Sequence, residues 1–187
     1  MTTYLQSLTI PSSIFENQAA SVLLPVALGA AVGYGTRPTE VKKTYMALKQ
    51  PPLHPPSWVF GPVWTVLYAV MGYSAHRVAS AGLSALAAPS VIENTRHAMS
   101  IYSLQLGINL IWMPLFFVAK RPVEASVDIV TLLGLNGYLA YLYSGIDETA
   151  AWLQVPYLGW LSFATYLCVG AGHLNKWDFN GKDLKRS

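Results

Sequence analysis

The stretch His54–Trp64, HPPSWVFGPVW, sets three prolines and two tryptophans at the head of a run that is otherwise apolar enough to cross a membrane. Pro51, Pro52, Pro55 and Pro56 lock their own backbone and bias the residues before them to extended geometry, so the segment leading into the run is pre-shaped. Trp58 suits an anchor at headgroup level, where an amphipathic ring is favoured. Trp64 lies six residues further on, roughly 9 Å along a helix at 1.5 Å per residue. A tryptophan at that depth needs a partner for its indole N–H, which places it in a packed interior or against a ligand cavity.

Working outward, the same pattern recurs along the chain. Only 11% of the 187 residues are charged and 53% are hydrophobic, against the roughly 25% charge usual in soluble domains. Uncharged gaps at 17–36, 50–76, 97–119, 129–146 and 149–175 can each hold the ~17–25 apolar residues that cross a bilayer. They predict an all-α membrane protein, a bundle of five transmembrane helices at about 19–36, 58–76, 97–119, 122–143 and 151–174. A sixth gap, 78–92, is short, rich in small residues and interrupted by Pro89, and reads as a loop or short surface helix. Residues 1–18 form an N-terminal tail, 19–175 the membrane domain and 176–187 a basic C-terminal tail. No Lys or Arg precedes Arg37, so no cleaved presequence is expected.

Charge fixes orientation, because Lys and Arg collect in the cytoplasmic loops. Arg37, Lys42, Lys43, Lys49, Lys120, Arg121, Lys176, Lys182, Lys185 and Arg186 fall on one side of a five-span bundle, against Arg77 and Arg96 on the other. The C-terminus is therefore expected in the cytosol. These charges flank spans and form no basic face, which argues against nucleic acid. The single cysteine, Cys168, excludes an intramolecular disulfide and reads as a small buried hydrophobe. In the first span Gly29 and Gly33 give a small-xxx-small register for close helix packing, within the chain or across a dimer seam.

Three segments together carry a family resemblance. HPPSWVFGPVWTVLYAVMGY (54–73), LQLGINLIWMPLFF (104–117) and VPYLGWLSFATYL (155–167) resemble the signatures of the translocator protein family, also called tryptophan-rich sensory or peripheral benzodiazepine receptor proteins, and Asp128 falls where that family carries an aspartate. The resemblance implies a five-helix bundle, often a homodimer, binding tetrapyrroles such as protoporphyrin IX or heme, and in eukaryotes sterols, in a pocket open toward the cytosol. The 37–57 segment, with His54, Pro55, Pro56 and Trp58, becomes its lid. Trp64 and Trp160 are then the leading aromatic walls, with Trp112, Tyr68, Phe163 and Leu167 behind them. Gln105 and Asn109, four apart on one helix face, are either ligand contacts or interhelical hydrogen bonds. Asp128 takes a structural or gating role, paired with a basic residue of the first loop or with Lys120–Arg121.

Departures from the family pattern stand at Leu53, Leu110, Glu124 and Cys168, where an aromatic, an aromatic, an apolar or aromatic, and an asparagine are usual. The sterol string expected after Tyr166 fails, since no Lys or Arg follows until Lys176, which ranks sterols below porphyrins. The four histidines lack metal-site spacing, and no nucleophile has a base partner, so an enzyme is not expected and no cofactor is required. Were heme bound, His54 or His173 would be its axial candidates. The alternatives to a tetrapyrrole carrier are a light- and oxygen-dependent porphyrin-degrading activity and a scaffold acting through protein contacts. An outer mitochondrial membrane location suits a eukaryotic source, with the endoplasmic reticulum or a bacterial membrane as alternatives.

Overall fold

The computed structural model describes residues 9–179; the first eight residues of the N-terminal tail, and Lys182, Lys185 and Arg186 of the basic tail, lie outside the described residues. Among the described residues seven α-helices follow one another: α1 Ser12–Glu16, α2 Gln18–Gly35, α3 Pro38–Ala47, α4 Phe60–Gly82, α5 Pro89–Met113, α6 Pro122–Ser144 and α7 Glu148–Leu174. A 3₁₀ turn, Ser57–Val59, leads into α4, and a π-helical turn, Pro114–Val118, ends α5.

Local chemistry explains most boundaries. Pro38, Pro89 and Pro122 open α3, α5 and α6, positions where a missing N–H costs no hydrogen bond. Asn17 and Asp147 cap α2 and α7, accepting from the backbone amides of Ala20 and Ala150 at 3.0 and 2.8 Å. Pro114 has no N–H to give, and the ladder widens there: the amide of Ala119 donates to the Pro114 carbonyl, five residues back, at 2.9 Å. Lys120 then turns left-handed (φ 53°) and the Arg121 amide closes on the Leu115 carbonyl, ending the helix.

Helices α2, α4, α5, α6 and α7 form the five-helix membrane bundle. α6 packs on α7, α7 on α4, α4 on α2, and α5 closes the ring against α6 and α2. Among the described residues three helices, α2, α5 with its π turn and α6, are apolar and long enough to cross a membrane by length and composition. α4 and α7 have the length, 23 and 27 residues. Their tryptophans, tyrosines, serines and histidines lower their mean hydropathy.

Two sequence expectations need correction. The 37–57 segment is not simply a loop: residues 38–47 are helical, begun by Pro38 and braced by the Glu40–Lys43 ion pair at 2.9 Å. The 78–92 segment is mostly helix, since α4 runs on to Gly82 and α5 starts at Pro89, leaving only 83–88 as a connection. Gly82 permits this close return, because a Cβ there would overlap the hydroxyl of Thr95 on α5. The N-terminal tail is also partly structured: α1 inserts Phe15, 1% exposed, edge-on against Tyr102 at 5.5 Å between ring centroids.

Candidate functional site

The ends of α2, α5 and α7 and the starts of α4 and α6 share one end of the bundle, together with Arg37, Lys42, Lys43, Lys49, Lys120, Arg121 and Lys176. At this basic end the helices enclose a cavity of about 530 Å³. That volume lies within the ~300–1,000 Å³ typical of small-molecule sites.

Each wall is a helical stripe at three- and four-residue spacing. α4 and the turn before it contribute Ser57, Phe60, Gly61, Trp64, Thr65 and Tyr68; α5 and its π turn contribute Asn109, Leu110, Trp112, Met113, Phe116 and Phe117. α7 supplies Ala164, Leu167 and Cys168, and α2 supplies small residues from Val26 to Gly33. The aromatic rings are fixed by one another. Trp64 lies 5.5 Å from Tyr68 and 6.1 Å from Tyr157 between centroids, and Trp112 stacks on Phe116 at 5.1 Å with 19° between planes.

A short polar network closes the floor. The Tyr68 hydroxyl donates to Asn109 Oδ1, and Asn109 Nδ2 donates to the Tyr157 hydroxyl at 2.7 Å. All three groups are buried. Each partner satisfies another, which is the condition under which polar side chains persist inside a membrane bundle.

The lid is α3 with the proline segment, and it is fastened rather than loose. Asn175, just past α7, accepts from the Lys49 amide at 3.1 Å and donates to the Lys49 carbonyl at 2.9 Å. Tyr166 donates to the Pro52 carbonyl at 2.9 Å, and a Cβ at Gly170 would lie 2.9 Å from Pro51. Within the lid, Tyr45 donates to the Pro55 carbonyl at 2.6 Å and Gln50 Nε2 to the Tyr45 carbonyl at 2.8 Å. Burial raises the Tyr45 phenol above its usual range, and the hydrogen bond from Lys43 holds Glu40 below its own.

The residues singled out from sequence are sorted by this geometry. Trp58, Trp64, Tyr68, Asn109, Trp112 and Leu167 line the cavity. Trp160 and Phe163 do not, because Phe60 packs edge-on over Trp160 at 6.0 Å and takes the wall position, while Phe163 sits behind Trp160 at 5.8 Å. Gln105 also stays outside: it accepts from Asn136 Nδ2 of α6 at 3.2 Å and is helix-to-helix glue. His54 binds back to the Pro51 carbonyl at 3.1 Å, and Pro55 and Pro56 shape the lid without facing the cavity. Neither His54 nor His173 reaches it, which removes both as axial ligands there.

Asp128 has no basic partner: its Oδ2 is buried without a hydrogen bond, while Arg121 pairs instead with exposed Glu124 at 3.3 Å. Glu124 therefore points away from the cavity and does not alter its polarity. Gly29 packs inward, since a Cβ would overlap the Tyr68 ring, and Gly33 borders the cavity with nothing close by. Gly29 thus serves close packing within this chain. The wall residues missed from sequence, Phe60, Met113, Phe116 and Phe117, were signalled by the same three-and-four spacing as those found. Lys42, Tyr45 and Gln50 of the lid had no such periodic signal.

Comparison with known proteins agrees with this architecture. Residues 21–174 match the TspO/MBR family. The chain is 40% identical over 165 residues to a translocator protein homolog of Schizosaccharomyces pombe, covering 88% of this chain and 95% of that one. It is 35% identical over 153 residues to the translocator protein of Homo sapiens (81% and 87% covered). It is 32% identical over 149 residues to the tryptophan-rich protein TspO of Archaeoglobus fulgidus (79% and 90%).

Proposed function

The chain belongs to the TspO/MBR family of membrane proteins, and we propose that it binds tetrapyrroles, protoporphyrin IX or heme, in the lidded cavity at the basic end of the bundle, to carry, buffer or hand them on. The observation that supports this reading is the wall: indole and phenyl rings of Trp64, Trp112, Phe60, Phe116 and Phe117 converge on one space. A flat macrocycle offers an extended π face, and offset or edge-on contacts with such rings are favourable beyond the area they bury. Sterols, which lack that face, stand second. By the positive-inside rule the cavity end is the cytosolic one, so ligand enters from the cytosol or the adjoining leaflet. An outer mitochondrial membrane location and a homodimer complete the proposal.

The test is a dark titration of protoporphyrin IX into the purified, detergent-solubilised protein, followed at the Soret band. A saturable shift is expected, with Trp64→Ala weakening affinity about tenfold, as expected for losing one aromatic contact and the area it covers. Unchanged affinity in a variant of intact helix content would overturn the cavity assignment.

A further inference from the structure

The cavity is apolar almost throughout, and its polar groups are mostly spoken for. Thr65 donates to the Gly61 carbonyl at 2.9 Å, Tyr45 to the Pro55 carbonyl, Gln50 to the Tyr45 carbonyl, Tyr68 to Asn109 Oδ1, and Asn109 Nδ2 to the Tyr157 hydroxyl. Lys42 is different. It is the one charged residue among those lining the cavity, and it projects from α3 in the lid.

Its neighbours do not neutralise it. Among the described residues the ion pairs are Lys43 with Glu40, Arg121 with Glu124, and Arg77 with Asp147 at the opposite end. The nearest acid in sequence, Glu40, is thus engaged by Lys43 at 2.9 Å, and Lys42 makes no ion pair. What the cavity has in surplus is therefore one positive charge, which calls for an acceptor on the ligand.

We infer that Lys42 is a specificity-determining residue that binds an anionic group of the ligand at the lid, so that the cavity selects a flat aromatic ring carrying a carboxylate over the same ring without one. This rests on the tetrapyrrole reading and sharpens it. The ring enters between Trp64 and Trp112 with its acidic edge turned to the lid and the basic mouth, and its apolar edge toward the Tyr68–Asn109 floor. A neutral sterol offers Lys42 a hydroxyl but no charge and gains less from it than a carboxylate does, which places sterols behind carboxylated rings on grounds of charge as well as shape.

The experiment compares protoporphyrin IX, which bears propionate carboxylates, with its dimethyl ester, in the native chain and in Lys42→Met, which keeps the apolar stem. Because the ammonium is at an exposed rim, the native chain should bind the diacid about three- to tenfold more tightly than the ester. Lys42→Met should lose that preference while binding the ester as before, and Lys42→Arg should restore it. The preference should also shrink as salt is raised, since rim charges are screened. Equal native affinity for diacid and ester, or a preference that survives in Lys42→Met, overturns the inference and leaves the tetrapyrrole reading standing. Failure of the native chain to bind either compound overturns that reading itself.

Discussion

The two ends of this bundle are built on opposite plans. At the far end the core between the helices is filled: Met71, Ala75, Val78, Ala98, Leu139, Tyr143 and Ala150 are fully buried, Phe15 is pressed against Tyr102 from the N-terminal segment, and the cleft of about 610 Å³ there opens beside this core, between residues 9–16 and the α4–α5 connection. There Ser74 ties α4 to α7 through the Ala150 carbonyl at 2.9 Å, and Arg77 ties α4 to Asp147 at 2.8 Å. At the basic end the helices border open space, and a fastened lid joins the buried Leu48, Phe116 and Phe179 in holding the chain. All five non-glycine residues of positive φ among those described, Arg37, Leu53, Lys120, Lys176 and Trp177, lie at this end. Unfavourable backbone geometry persists where the surroundings over-determine it, commonly around binding sites. The far end supplies stability, and the near end can then remain hollow.

Glycines at the two ends should show that division with opposite signs. A Cβ at Gly72 would overlap the Ser21 carbonyl and the Val22 backbone of α2, atoms that cannot swing away, and Ser21 Oγ donates to the Gly72 carbonyl at 2.7 Å across the same contact. Gly72→Ala should therefore cost about 2–3 kcal/mol, in the range of core overpacking. A Cβ at Gly33 meets nothing within 4 Å. Gly33→Ala should leave stability unchanged or raise it by up to about 1 kcal/mol, through reduced freedom of the unfolded chain. Denaturant midpoints in one detergent decide both; equal losses at the two sites would erase the distinction between filled and hollow ends.

The lid gives the next effect in size. Asn175→Ala removes both hydrogen bonds to Lys49, together with the bond from Asn175 Nδ2 to the Ala171 carbonyl at the end of α7. Two such bonds are worth about 1–2 kcal/mol in all, so hydrogen exchange at the Lys49 amide should quicken about tenfold with the global midpoint nearly constant. Unchanged exchange would mean that Tyr166, Pro51 and Leu48 hold the lid without Asn175.

What could be seen in the sequence follows from this division. The five helices and their direction rest on hydropathy and on Lys and Arg placement, which are properties of position along the chain, so Arg37-to-Lys49, Lys120–Arg121 and Lys176 pointed to one end directly. Trp64, Tyr68, Asn109 and Trp112 were legible because a helix puts residues three and four apart on one face. That rule does not say how far the cavity extends along the face. Gln105 shares a face with Asn109, yet one contacts α6 and the other the cavity floor. Nor does it say which of two facing rings is outermost: Phe60 covers Trp160 because α4 and α7 meet there, a fact of packing that neither segment contains alone. The lid helix was hidden by its composition, since TEVKKTYMA is polar and short, although Pro38 and the Glu40–Lys43 spacing are start and support signals.

The smallest expected effect lies at the far end, in the ion pair between Arg77 and Asp147. Burial would raise the Asp147 carboxyl, but hydrogen bonds from Arg77 and from the Ala150 amide outweigh it and hold the group below the usual carboxylate range. A carboxyl lowered in the folded state contributes stability that is present above its unfolded value, about 4 for aspartate, and is lost as the pH falls through the lowered folded value. Arg77→Gln removes one source of the lowering and leaves the amide bond of the helix cap. The variant should thus be slightly less stable than the native chain at neutral pH and should lose less on acidification, so that the two thermal midpoints converge as the pH falls through the lowered folded value. Parallel pH profiles would show that the Arg77 charge does not hold Asp147, and the far end would then rest on its packed side chains and the Ser74–Ala150 hydrogen bond.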